Sequence, residues 1–172
     1  MKKLKKIGFG GGCHWCTEAV FQSLKGVKSV QQGWIASKNE HFEFSEAVIV
    51  DFDPSSIPLK VLIEIHLHTH KSTSEHSMRK KYRSAVYVFN QEDEVIVMNT
   101  ILELQSNFNN KLVTKVLGFS KFKPSREEIA NYYYRNPKKP FCETFINPKL
   151  QFLLKEYSGY VSEQLKEIKI EK

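Results

Sequence analysis

Apolar positions recur along this chain with two different periods, and the places where the period changes divide it into elements. Lys6-Ile7-Gly8-Phe9 predicts a short strand that runs into Gly10-Gly11-Gly12, and from Cys13 to Leu24 the apolar residues Trp15, Ala19, Val20 and Leu24 fall at helical spacing. Gly26 to Ile35 reads as a turn leading into a strand, and Ser45 to Phe52 alternates as a half-buried strand closed by the Asp53-Pro54 turn. Pro58 suits the start of a helix whose apolar face is Leu59, Leu62, Ile63, Ile65 and Leu67, ending near His68. Lys71 to Lys81 is polar and predicts a loop. Ser84 to Phe89 predicts a strand, Gln91 to Asn107 a long helix and Val113 to Leu117 another strand.

The last third, with Pro124, Pro137, Pro140 and Pro148, is expected to be irregular, and the Lys/Glu-rich end, 162–172, to be a flexible tail. The order βαβ followed by a second βαβ is that of a two-layer α/β sandwich. No repeat or linker divides the chain, so 1–172 is expected to be one domain. At 172 residues and 41% hydrophobic, it has the material for a single core.

Charge and composition narrow the function. The apolar runs fall far short of the roughly 20 residues that a membrane helix needs, and no secretory leader is legible behind Met1-Lys2-Lys3, so a cytoplasmic monomer without a membrane partner is expected. The net charge is +7, but its basic residues are scattered through Lys2 to Lys6, Arg79-Lys80-Lys81 and Lys138-Lys139 without the pattern of a nucleic-acid module. Three cysteines, Cys13, Cys16 and Cys142, are too few for a disulfide scaffold and are odd in number, which directs attention to thiol chemistry.

Gly10-Gly11-Gly12-Cys13-His14-Trp15-Cys16 carries most of the chemical information. Consecutive glycines permit a sharp turn, and a cysteine at the first turn of the following helix sits where unpaired amides and the helix dipole favour an anion. Cys13 is therefore expected to have a lowered thiol pKa and to act as a nucleophile. Two other uses of Cys13-x-x-Cys16 are weaker. A thioredoxin-like redox pair normally follows a longer βαβ lead. A zinc site needs two further ligands, and His66, His68, His70, His76 and Cys142 contain no second pair at the usual spacing, so no metal is expected. His66 and His70 share a helix face at i and i+4, and a solvated flank is the simpler expectation for them. Glu46 at a strand start and Tyr82 before a strand would, alone, be read as an exposed acid and a packing ring.

Gly11-Gly12-Cys13-His14-Trp15-Cys16-Thr17-Glu18 resembles the Gly-Gly-Cys-Phe-Trp-Cys signature of the peptide-methionine (S)-S-oxide reductases, the A-type methionine sulfoxide reductases. The likeness continues in order through Leu24 to Val30, Glu46-Ala47-Val48, Asp53-Pro54, Tyr82-Arg83-Ser84-Ala85, Pro124, Tyr132-Tyr133, Asn136-Pro137 and Phe141-Cys142. It implies an α+β fold, a two-layer sandwich with a ferredoxin-like core and extensive coil, especially in the C-terminal third. It also implies that the Cys13 thiolate attacks the sulfoxide sulfur of oxidised methionine, in proteins or small molecules, and becomes a sulfenic acid. Glu46 would be the proton donor, its pKa raised by a dry pocket, and Tyr82 would bind the oxygen. Trp15 with His14 would form the wall for the substrate methyl group. Cys16 or Cys142 would resolve the sulfenic acid as a disulfide, reduced by thioredoxin or, in the laboratory, by dithiothreitol, with no bound cofactor.

The chain departs from that pattern in places. His14 replaces Phe, the stretch between Trp34 and Glu46 is shorter and has no clear counterpart of a second oxygen-binding tyrosine, Phe42 and Phe44 lacking the hydroxyl, and Ile129 and Ala130 replace His and Gln. Ser77-Met78-Arg79-Lys80-Lys81 replaces an acidic segment and makes that rim basic. Two rivals therefore stand beside the reductase: a disulfide- or peroxide-reducing Cys13/Cys16 enzyme, and a non-catalytic binding protein on the same fold.

Overall fold

The computed structural model describes residues 3–126 and 130–168. Strand β1 (Lys5–Gly10) is central and pairs antiparallel with β3 (Ser45–Phe52), placing Ile7 opposite Val50 and Phe9 opposite Val48. Strand β2 (Val27–Ala36) pairs antiparallel with the far side of β3, and β4 (Ala85–Val88) with the near side of β1. Helix α1 (His14–Gln22) connects β1 to β2, and α2 (Leu59–Thr69) connects β3 to β4. The order β4-β1-β3-β2 with these crossovers is the ferredoxin-like β-α-β-β-α-β arrangement, in an α+β fold.

Two further strands widen the sheet. Helix α3 (Gln91–Leu104), capped by the Asn90 side chain on the Asp93 amide, returns the chain so that β5 (Lys115–Gly118) lies parallel to β4. Strand β6 (Lys121–Pro124) pairs antiparallel with β2 at the other edge. The proline-marked third was expected to be irregular from here on. Pro124 is compatible with β6 because it ends an edge strand, where no further ladder donor is needed.

The main core joins Ile7, Phe9, Val48 and Val50 of the sheet to Phe21, Leu62, Ile63 and Val97 of the helices, with the Phe9 and Phe21 rings stacked at 4.5 Å. A smaller cluster, Ile35, Ala47, Ile49, Ala85 and Tyr87, is packed by Leu117 and Phe122.

The C-terminal third is more ordered than the sequence predicted. Tyr132–Arg135 form α4, a π-helical turn at Cys142–Ile146 leads into α5 (Asn147–Glu156), and Leu150 and Leu153 are fully buried. The expected tail is also docked in its first part. Glu163–Glu167 form α6, Ser162 caps it by accepting from the Leu165 amide, and Leu165 has no exposed surface. That single apolar anchor among charged neighbours is a short burial pattern that composition masks; 169–172 lie outside the described residues.

Candidate active site

Strand β1 delivers the chain to the glycine turn, and the turn delivers it to Cys13 at the N-terminus of α1. At Gly11 φ is +157°, and a Cβ built there would lie 2.4 Å from the His70 ring, so only glycine fits. Cys13 occupies the cap position without using its side chain as a cap. Its carbonyl accepts from the Cys16 and Thr17 amides at 3.1 and 3.2 Å.

The Cys13 thiol pKa is lowered, first by a hydrogen bond from the Cys16 thiol and then by the Trp15 and Cys16 amides, against the opposing effects of burial and the Glu46 charge. The Cys16 pKa is raised, chiefly because its proton is held in that bond, and also by burial. The pair thus favours negative charge on Cys13 over Cys16. Cys142, at the π-helical turn, is fully buried, donates weakly to the Asn136 carbonyl at 3.5 Å, and has a pKa raised mainly by burial. Cys16 and Cys142 belong to one buried cluster with Cys13 packed against it, and all three thiols are free.

Cys13 and Cys16 open into a cleft of about 500 Å³. The 71–82 segment lines it with Lys71, His76, Met78 and Tyr82, and the C-terminal segment with Phe141, Phe145 and Lys149. A larger cavity, about 690 Å³, beside Tyr133, Arg135 and Asn136, has no cysteine or histidine among its lining residues and offers no comparable chemistry. Among the described residues no group of three or more His, Cys, Asp or Glu side chains could hold a metal ion.

Of the side chains singled out in the sequence, Tyr82 lies on this cleft with Cys13. Glu46 is 6% exposed and lies beside the Cys13–His14 peptide rather than on the cleft lining. Its Oε1 accepts from the His14 amide at 3.2 Å, and its Oε2 is 3.7 Å from the Lys81 ammonium. His14 turns inward: Nδ1 donates to the Gly33 carbonyl at 2.9 Å, Nε2 is 3.5 Å from Glu46, and the ring meets Trp34 edge-on. Trp15 is stacked on Tyr132 at 4.2 Å and 7°, with Phe141 against it edge-on. Neither His14 nor Trp15 lines the cleft, whose apolar lining comes instead from Met78, Phe141 and Phe145. Histidine at 14 explains part of this difference, since its ring nitrogen finds a buried carbonyl that phenylalanine could not use. Phe42 and Phe44 are exposed and line a separate pocket beside Ser37 and Lys121. Ile129 lies outside the described residues.

Other groups that shape the site escaped the sequence. His66 is 2% exposed, not a solvated flank; Nε2 donates to the Gly10 carbonyl at 2.8 Å, while Nδ1 is buried without a partner. His70 donates from Nδ1 to the His66 carbonyl at 2.5 Å and accepts at Nε2 from Ser84, which bonds in turn to Thr114. Burial drives both imidazole pKa values down, that of His70 to about 3. The spacing Leu59, Ile63, His66, His70 continues one helix face and could have indicated their burial.

Arg79 donates to the carbonyls of Gly11, Ser74, Tyr82 and Lys71, tying the 71–82 segment to the glycine turn. Glu18, 1% exposed, accepts from the amides of Asn131 and Tyr132 and from Gln32, which fixes Tyr132 over Trp15. Burial raises its pKa against those three hydrogen bonds.

A family model described as peptide methionine sulfoxide reductase matches residues 5–160. A curated relative from Trichodesmium erythraeum (strain IMS101), named peptide methionine sulfoxide reductase MsrA, is 34% identical over 175 residues, covering 92% of this chain and 99% of its own. The crystal structure of Mxr1 from Saccharomyces cerevisiae in reduced form is similar with a TM-score of 0.72 at 21% identity, over 81% of this chain and 90% of that one. Mxr1 in complex with Trx2 is similar with a TM-score of 0.62 at 21% identity, over 73% of this chain and 84% of that one.

Proposed function

This chain belongs to the peptide methionine sulfoxide reductase family, whose members reduce methionine sulfoxide by thiol chemistry, and from that premise we propose that Cys13 is its nucleophile. The observation that carries the proposal is the place of Cys13 and Cys16 together on the cleft, with Cys13 at the N-terminus of α1 and its thiol the more acidic of the two. The Cys13 thiolate attacks the sulfoxide sulfur, and the sulfoxide oxygen takes up a proton as charge develops on it. Tyr82, on the same cleft, hydrogen-bonds that oxygen, and Glu46, buried beside the Cys13–His14 peptide, supplies the proton from the neutral form of its carboxyl group. The protonated oxygen then passes to the Cys13 sulfur as the methionine sulfur gives up both its bond to oxygen and its new bond to Cys13: methionine leaves reduced and Cys13 becomes a sulfenic acid.

Cys16 is the resolving residue of this proposal. Its thiol sulfur displaces the sulfenic oxygen as water and forms a Cys13–Cys16 disulfide, a step that one helical turn accommodates. Cys142 stays in reserve, buried and bonded to a backbone carbonyl. Phe141, Phe145 and Met78, on the cleft, receive the substrate methyl group, and Trp15 and His14 support the turn from behind. An external dithiol returns the disulfide to two thiols. Thioredoxin suits that role, and the complex of yeast Mxr1 with Trx2 supports it. No described helix is long and apolar enough to cross a membrane. Three free thiols suit a reducing compartment, which favours the cytoplasm. One chain supplies every group named, so a monomer without bound cofactor suffices, as one domain acting on oxidised methionine rather than on nucleic acid or membrane.

Turnover of the two methionine sulfoxide epimers, offered separately with dithiothreitol, tests the proposal. Consumption of the S epimer alone, abolished in Cys13→Ser, is expected. Peroxide or disulfide reduction without sulfoxide turnover would overturn it.

A further inference from the structure

The charged side chains that line the cleft are of one sign. The cleft lining includes the ammonium groups of Lys71 and Lys149 and no aspartate or glutamate, and its His70 ring is kept neutral by burial. Lys81 extends over the Tyr82 ring at 5.1 Å and is exposed. The nearby carboxylates are turned elsewhere. Glu46 is occupied by the His14 amide and Lys81, and Glu75 lines a different pocket with Glu40, Glu43 and Arg83. Lys149 is deeply placed, donates to the Thr69 carbonyl, and has a pKa lowered by burial although the thiol charges of Cys16 and Cys13 oppose that shift.

Lys149 thus serves the nucleophile, whereas Lys71, exposed at the rim, has no acidic side chain among the cleft residues to meet it. A sulfoxide is neutral, so its own chemistry does not require this additional positive charge. A carboxylate held just outside the sulfoxide would meet it, and a cleft with walls of low dielectric strengthens that attraction.

Resting on the reductase assignment above, we infer that this cleft selects methionine sulfoxide bearing a carboxylate close to the reacting group, with Lys71 as the residue that determines the preference. Such a carboxylate comes either from the substrate's own α-carboxyl group or from acidic neighbours in a peptide.

The test compares kcat/KM, with dithiothreitol as reductant, for four substrates with S-sulfoxide sulfur. They are N-acetyl-methionine sulfoxide, its neutral amide, and blocked tripeptides with aspartate or lysine on both sides of the sulfoxide. At low ionic strength, at least one carboxylate substrate is expected to exceed the neutral amide and the lysine peptide by about tenfold, and about 0.5 M salt to compress the difference. An advantage confined to the N-acetyl acid assigns the α-carboxylate, and one confined to the aspartate peptide assigns the flanking residues. Lys71→Glu is expected to reverse the order in favour of the lysine peptide. Equal rates for all four, or a preference unmoved by salt and by Lys71→Glu, would overturn the inference alone. Turnover of none would overturn the reductase assignment and the inference with it.

Discussion

The His66 imidazole donates from Nε2 to the Gly10 carbonyl at 2.8 Å, and this bond ties α2 to the turn that presents Cys13. Arg79 does the same for the next carbonyl, that of Gly11, at 2.9 Å. The two donors fix consecutive peptide units on the approach to Cys13. Replacing His66 with leucine leaves the Gly10 carbonyl buried and unpaired, which is expected to cost about 1–3 kcal/mol in urea unfolding. Alkylation of Cys13 is expected to slow as well, since the amides that face its sulfur lose their fixed position. His66→Gln, which can still donate, should recover part of both.

The glycines of the turn are not equivalent. A Cβ at Gly11 would meet the His70 ring at 2.4 Å, whereas one at Gly12 meets nothing within 4 Å. Gly11→Ala is expected to destabilise the fold by about 2–3 kcal/mol, and Gly12→Ala by much less. Thermal unfolding of the two variants side by side checks the contrast.

Burial of His70 links stability to acid. Its pKa falls from 6.5 to about 3 on folding, so between those values the unfolded chain binds a proton that the folded one excludes. The stabilisation is fully present above pH 6.5 and is lost as the pH falls toward 3, amounting to at most about 5 kcal/mol. His66, shifted in the same direction, steepens the loss. Urea midpoints measured across this range should fall with pH, and His70→Asn should flatten the curve; an equal slope in the variant would refute the linkage.

The roles of the two other thiols separate by substitution. Cys16→Ala should still form one methionine per enzyme, leave a sulfenic acid at Cys13 that dimedone traps, and lose more than about tenfold of its thioredoxin-driven turnover. It should also move the Cys13 alkylation profile to higher pH, because the largest influence lowering that thiol pKa is gone. Cys142→Ala should keep the turnover. The reverse result would make Cys142 the resolving residue.

Local pattern made the sandwich legible, and with it the placing of Cys13 at the start of a helix after the glycine turn. The strand at Lys6 to Phe9, the three glycines and the helix after Cys13 follow from spacing within a few residues, and the structure bears out the α+β fold with its ferredoxin-like core. The same local order determined that a thiol at position 13 would meet free amides. Tertiary structure decided what surrounds it. The inward turn of His14 depends on the Gly33 carbonyl, 19 residues away, and the burial of His66 on Gly10, 56 residues away. Strand β6 exists because the edge of β2 offers it a ladder, and α6 is docked because Leu165 finds a core that its charged neighbours do not announce. Each of these contacts joins residues that periodicity treats as unrelated. The sequence determined which segments could bury a face, and packing alone determined which polar groups were carried inside with them and had to find partners there.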